Sequence, residues 1–224
     1  MDHLSFAITS DGSKTIFNEK VGEHYHSRHG ALQESKHVFL NTGMRYFLEK
    51  SGVKRVKILE VGFGTGLNFL ITADFCLENN IQLDYIGIEA YPLKPEMIAD
   101  TGYEEYIDHK LWHSFTTQYE EAQKSVVQIG KSYTLKIEAE KMLDFNSKEF
   151  FDVVYFDAFA AVHQPEMWNK ESLKHISKFL KPGGVFVTYA ITGDLKRTMK
   201  NLGFENEKAP GAPGKREMLR AVKM

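Results

Sequence analysis

Cysteine is nearly missing from this chain. Cys76 stands alone among 224 residues, which excludes an internal disulfide framework and a cysteine-built zinc site. Its position in a helical stretch reads as a buried structural thiol. Long apolar runs are missing too. None approaches the roughly 20 residues that span a bilayer, and the N-terminus lacks the basic region and apolar stretch of a secretion signal. The expectation is a soluble cytoplasmic protein with no membrane partner. Nor does charge of one sign dominate. Lys and Arg number 28 against 30 Asp and Glu, a net charge of −2, so nothing draws the whole chain toward nucleic acid and any basic face must be local. A chain of this length makes one domain, or one with a small addition. It buries about 70% of its unfolded surface and needs no staples.

What is present is organised around Ile58-Leu-Glu-Val-Gly-Phe-Gly-Thr-Gly-Leu-Asn-Phe69. An aliphatic run reads as a buried strand. Glycines follow at 62, 64 and 66, and then Leu67, Phe69 and Leu70 begin a helical pattern. Strand, glycine turn and helix form the entry to a nucleotide-type site in a parallel sheet. The glycines let the backbone turn tightly beside a ligand. Leu67 stands where a dinucleotide fingerprint requires its third glycine, and the Gly-Lys-Ser/Thr of a phosphate loop is absent. Glu-x-Gly-x-Gly-x-Gly from Glu60 resembles motif I of class I S-adenosylmethionine-dependent methyltransferases. That cofactor carries no phosphate, so an acid at the strand end is tolerable. Asp84-Tyr-Ile-Gly-Ile-Glu89 reads as the next strand. It ends in an acid at the distance, roughly 20 residues past the glycines, where such acids meet ribose hydroxyls. Glu138 or Glu140 falls where a methyltransferase often places an acid near the adenine, and the sequence does not choose between them.

The remaining elements follow from periodicity. Residues 4–18 alternate around Asp11-Gly12 as a β-hairpin. Residues 23–39 carry four histidines, among them His24, His26 and His29, without the acidic or thiol spacing of a metal site. They read as a polar loop or pocket wall, and no metal is expected. A helical pattern runs from Ala31 to Leu48, with Asn41-Thr42-Gly43 as an expected interruption. Residues 125–137 read as a hairpin leading into a third sheet strand, and Phe151–Asp157 as a fourth, ending in a carboxylate where open sheets bind ligands. A helix is expected over Pro165–Leu180, a fifth strand from Val185, a helix over Leu195–Leu202, and a terminal antiparallel pair around Pro210-Gly-Ala-Pro-Gly. The fold class is α/β: a Rossmann-like class I methyltransferase sheet with helices on both faces and an N-terminal β-hairpin extension. Residues 1–50 are expected to form the extension and 51–224 the methyltransferase domain.

Four segments carry a closer resemblance: Phe63–Phe69, Tyr155–Ala160, Gln164–Trp168 and Gly214–Leu219. Ser27, Gly30, Glu34 and Val38-Phe39 add the pattern Ser-x-x-Gly-x-x-x-Glu-x-x-x-Val-Phe. Together they resemble the methyltransferase domain of the MnmC family, bacterial modifiers of the tRNA wobble uridine, over nearly the full chain. The resemblance implies N-methylation of the aminomethyl group of 5-aminomethyl-2-thiouridine, with S-adenosylmethionine as cofactor and tRNA as partner. In the family this domain often precedes an FAD-dependent oxidase. This chain resembles the stand-alone form, so FAD is not expected and a separate enzyme supplies the amine. The segment departs from the fused version in its histidines and in Ala161-Val-His.

Implied cofactor contacts are Glu60, Gly62, Gly64, Gly66, Asn68 and Glu89, with Glu138 or Glu140. Asp157 is the candidate to orient the ammonium and receive its proton, and Phe159 to pack on the uracil. Ser27, Glu34, Lys215 and Arg216 are the other substrate candidates. Lys196, Arg197, Lys200 and Arg220 join the last two in a basic C-terminal group suited to phosphate. A small-molecule or protein methyltransferase, or a non-catalytic binding module, are the alternative classes on this fold.

Overall fold

Strand β8 (Phe151–Phe156) is buried along its full length, as the uninterrupted apolar run requires of a strand covered on both faces. The computed structural model describes residues 3–224. Around β8 an eight-stranded sheet is ordered β10-β11-β9-β8-β4-β5-β7-β6. Its members are β4 (Arg55–Val61), β5 (Gln82–Ile88), β6 (Val127–Ile129), β7 (Tyr133–Glu138), β9 (Leu180–Thr188), β10 (Phe204–Pro210) and β11 (Glu217–Lys223). Strands β9, β8, β4, β5 and β7 are mutually parallel. Strand β11 runs antiparallel between β9 and β10, and β6 antiparallel to β7.

Alternate side chains of each central strand feed two cores. Ile58, Val153, Tyr155 and Val187 join Phe39, Met44, Phe69 and Phe115 on one face. Leu59, Val154, Phe156 and Phe186 join Leu173, Ile176, Leu195 and Met199 on the other. The helices alternate with the strands: α3 (Leu67–Asn79), α4 (Pro95–Ala99), α5 (His109–Ala122), α6 (Lys170–Ser177) and α7 (Gly193–Asn201), with 3-10 turns at Tyr103–Glu105 and Pro165–Trp168. The expected helix over 165–180 is divided. Asn169 caps α6 by accepting from the Ser172 N–H, and Leu180 already belongs to β9, whose Gly183 and Gly184 lie inside the strand.

The N-terminal hairpin forms as expected, β1 (Leu4–Ile8) on β2 (Lys14–Asn18), and β3 (Glu23–His24) adds a third strand. Residues 1 and 2 of the expected extension lie outside the described residues. From Ala31 to Ser51 the chain is helical throughout: α1 (Ala31–Glu34), a π-helical stretch Ser35–Arg45, and α2 (Tyr46–Ser51). The expected break at 41–43 does not occur. Gly43 is there for close packing instead, since a Cβ would stand 2.7 Å from Val187 Cγ1 and 3.1 Å from Tyr155. The widened stretch therefore lies directly on the sheet.

Candidate active site

The parallel strands β4, β5 and β8 end side by side, so their C-terminal acids converge. The turn after β4 is fixed by the N–H groups of Gly62 and Phe63, both donating to the Ile88 carbonyl at 3.0 and 3.1 Å. Gly62 (φ 84°) and Gly64 (φ 51°) adopt left-handed backbone. A side chain at 62 would strike the Asp157 carbonyl, and one at 64 would lie 2.9 Å from the Tyr25 ring. Gly66 caps α3 against Phe115. The Gly64 N–H donates to Glu89 at 3.0 Å, and the Tyr91 N–H reaches the other Glu89 oxygen at 3.0 Å. Burial raises the Glu89 carboxyl, with those two donors partly offsetting it.

Glu60 is fully buried. Its two oxygens accept from Asn68 Nδ2 at 2.7 Å and from the Tyr85 hydroxyl at 2.8 Å. The same Asn68 nitrogen donates to Asp157 Oδ2 at 2.8 Å. One amide thus bridges two carboxylates, and Asn68 Oδ1 is buried with no partner among the described residues. Burial pushes both acids well above the carboxylate range. Asp157 adds to this at Glu60, and Glu34 adds to it at Asp157, while Asn68 and Lys215 oppose it there. Among the described residues Asp157 Oδ1 makes no hydrogen bond.

On the acceptor side the N-terminal segment and the C-terminal hairpin meet. Glu23 accepts the Ala160 N–H at 2.8 Å, and Tyr25 stands edge-on to Phe159 at 5.2 Å. Glu34 accepts the Ser27 N–H at 2.7 Å and pairs with Lys215 at 3.4 Å. Lys215 Nζ lies 3.7 Å over the Tyr189 ring. Tyr189 is held by a 2.9 Å bond to the Ala158 carbonyl, and Trp168 Nε1 donates to the Phe159 carbonyl at 2.7 Å. A cavity of about 750 Å³ opens here, lined by Ala160, Trp168, Tyr189, Lys215 and Arg216 among others.

The structure therefore gathers Glu60, the glycines, Asn68, Glu89 and Asp157 in one crevice, and Glu34, Phe159, Lys215 and Arg216 beside it. Ser27 contributes by its main chain, while its hydroxyl accepts from the His29 N–H. Glu138 and Glu140 both lie at the end of β7. The Glu138 carbonyl accepts the Glu89 N–H, and its carboxylate faces Lys136 at 3.6 Å. Arg220 is withdrawn from the basic group: it pairs with Glu207 and covers the Tyr46 ring. Arg197 pairs with Asp194. His26 is buried beside Thr15, with its pKa lowered to about 4 by burial. His24 packs on Phe17. Among the described residues no cluster of three or more His, Cys, Asp or Glu is placed to hold a metal, and no helix is long and apolar enough to cross a membrane.

Tyr85, Tyr25, Tyr189 and Glu23 are site residues that the sequence reading passed over. Only Tyr85 carries a signal: a phenol on a central strand must find a buried partner.

Residues 103–224 match the profile of a family described as S-adenosyl-L-methionine-dependent methyltransferase. The tRNA 5-methylaminomethyl-2-thiouridine biosynthesis bifunctional protein MnmC of Leptospira interrogans is 30% identical over 95% of this chain and 34% of its own length. Its namesake from Aromatoleum aromaticum is 28% identical over 98% and 35%. The chain thus spans about a third of these curated relatives. The crystal structure of MNMC2 from Aquifex aeolicus superposes with a TM-score of 0.78 at 26% identity, covering 98% of this chain and 70% of that one. Magnesium protoporphyrin IX methyltransferase from Synechocystis, crystallised with S-adenosylhomocysteine, shares the fold at TM-score 0.52 and 9% identity, with 87% of this chain and 84% of that one covered.

Proposed function

The chain belongs to the S-adenosyl-L-methionine-dependent methyltransferases, and from that premise we propose that it methylates the primary amine of 5-aminomethyl-2-thiouridine at the wobble position of tRNA. The observation that carries this reading is Asp157, which shares the Asn68 amide with Glu60, keeps Oδ1 without a hydrogen bond among the described residues, and stands three residues before Ala160 of the cavity wall. Likeness to the Aquifex structure and to the curated relatives supports the choice of acceptor.

The residues present fit the cofactor. The turn at Gly62 and Gly64 keeps side chains off the strand end, and the unpartnered Asn68 Oδ1 beside two carboxylates suits a cationic, donor-rich ligand. Glu89 suits ribose hydroxyls, and Glu138 or Glu140, at the end of the neighbouring strand β7, is the candidate acid for the base. When bound, the cofactor supplies an electrophilic methyl group on a sulfonium. Asp157 orients the acceptor ammonium and takes its proton, so that a neutral lone pair faces that methyl. Alignment of the two reactants lowers most of the barrier. Phe159 packs on the pyrimidine, and Arg216 at the cavity rim meets phosphate.

Of the extension proposed over residues 1–50, the described part walls the acceptor side of the domain formed by 51–224. The reading carries with it a cytoplasmic setting and a separate reaction that generates the amine beforehand. Nucleoside mass spectrometry of tRNA from a strain lacking the gene tests it. The aminomethyl uridine should accumulate and the purified protein should convert it. Unchanged wobble nucleosides would reject the reading.

A further inference from the structure

Lys215 occupies the acceptor side of the site. Its Nζ is pressed on the Tyr189 face at 3.7 Å and shared with Glu34 at 3.4 Å. Glu34 is 7% exposed, and its other oxygen is taken by the Ser27 N–H. Asp157 lies close enough to feel both Glu34 and Lys215, and Glu23 adds a third carboxylate. An aromatic face with a carboxylate at its edge is the means by which proteins hold alkylammonium groups. Tyr189 is kept in place for this by its bond to the Ala158 carbonyl and by Trp168, 6.0 Å away.

The lysine side chain is 38% exposed. It sits in the loop between β10 and β11, which is closed by Gly211 N–H to the Arg216 carbonyl (3.2 Å) and Lys215 N–H to the Ala212 carbonyl (2.8 Å) and anchored by buried Ala212 and by Gly214 against His29. The cavity of about 750 Å³ begins at this same lysine and is of the size that takes small-molecule ligands.

We propose that the Tyr189 face and the Glu34 carboxylate, with Asp157 behind them, form the binding site for the acceptor's alkylammonium group, and that Lys215 fills that site until an acceptor displaces it. The inference rests on the amine-methylation reading. A lysine side chain and an aminomethyl group end in the same CH2–NH3+ head, so one replaces the other without stranding a buried carboxylate. A neutral hydroxyl acceptor offers no such exchange. The placeholder therefore selects for amines as well as guarding the carboxylates, and its return helps expel the methylated product.

The test compares wild type with Lys215→Ala, each saturated with S-adenosylhomocysteine, using n-butylammonium as the probe in calorimetry. The variant should bind the probe at least tenfold more tightly, and Tyr189→Leu in that background should abolish the gain. Methyl transfer to hypomodified tRNA by the variant should then be competitively inhibited by butylammonium, with wild type resistant. Should the alanine variant not fold, Lys215→Met is the second case, with a smaller gain in probe binding. Equal binding by wild type and variant would overturn the proposal. So would restoration of lost activity by butylammonium, which would make Lys215 a working part of turnover. Failure of the tRNA reading looks different: wild type would transfer no methyl to tRNA, while the difference in butylammonium binding would persist.

Discussion

Asn68 and Tyr85 decide how much negative charge the crevice holds. Tyr85 stays a donor because burial and the nearby Glu60 push its phenol upward. Tyr85→Phe should strip one Glu60 oxygen of its partner, costing about 1–3 kcal/mol and weakening cofactor binding; thermal denaturation and calorimetry check this. Asp157→Asn should leave cofactor affinity nearly unchanged while single-turnover methyl transfer falls by about 10²-fold or more, partly recovered at high pH, where more amine is neutral. The same variant has a stability signature. The Asp157 pKa is raised in the folded state, so its ionisation is harder there than in the unfolded chain. The penalty is absent below the usual value of 3.8 and grows as pH rises above it. The variant should match wild type near pH 4 and melt higher at pH 7. Glu60, Glu89, Asp157 and the glycines are legible in the sequence because each follows from a local event, a strand ending or a turn that tolerates no side chain. Tyr25, Glu23 and Tyr189 are not, because their roles come from contacts with loops far along the chain, such as Glu23 with Ala160.

Among the elements, the N-terminal sheet is tied down by side chains its own hairpin pattern does not announce. His26 packs neutral behind β2 against Thr15. Its pKa of about 4 against an ordinary 6.5 gives a contribution that is complete above 6.5 and is lost as pH falls toward 4, amounting to about 3 kcal/mol. Amide exchange over residues 14–27 should therefore quicken at pH 5 relative to the core strands. The π-helical stretch makes a comparable demand. Gly43→Ala should cost about 1–3 kcal/mol by overpacking against Val187, read from denaturant midpoints. Helix and strand existence is legible from periodicity for every sheet strand from β4 to β11. The boundaries are not, because Asn169 starts a new helix by capping and Gly43 answers to a neighbour in the sheet rather than to helix propensity.

The molecule taken together presents one crevice with a strong charge preference. S-adenosylmethionine and S-adenosylhomocysteine should raise the melting temperature, by the equivalent of about 2.7 kcal/mol at a hundredfold excess over Kd. NAD, whose pyrophosphate would meet the acids Glu89 and Asp157 at the strand ends, should not. Stabilisation by NAD alone would defeat the cofactor assignment. Strand β11 adds a consequence in time. It follows every other strand of the sheet in chain order, yet it lies inside the sheet between β9 and β10, and its loop brings Lys215 to Glu34 across 181 positions of chain. While the protein emerges from the ribosome, β9 is a bare edge of the kind that invites pairing with other chains. The cofactor turn can assemble early, but the amine site is closed only by Lys215 and strand β11, so a chain that has not yet paired β11 can fill its crevice with cofactor before it can recognise an acceptor.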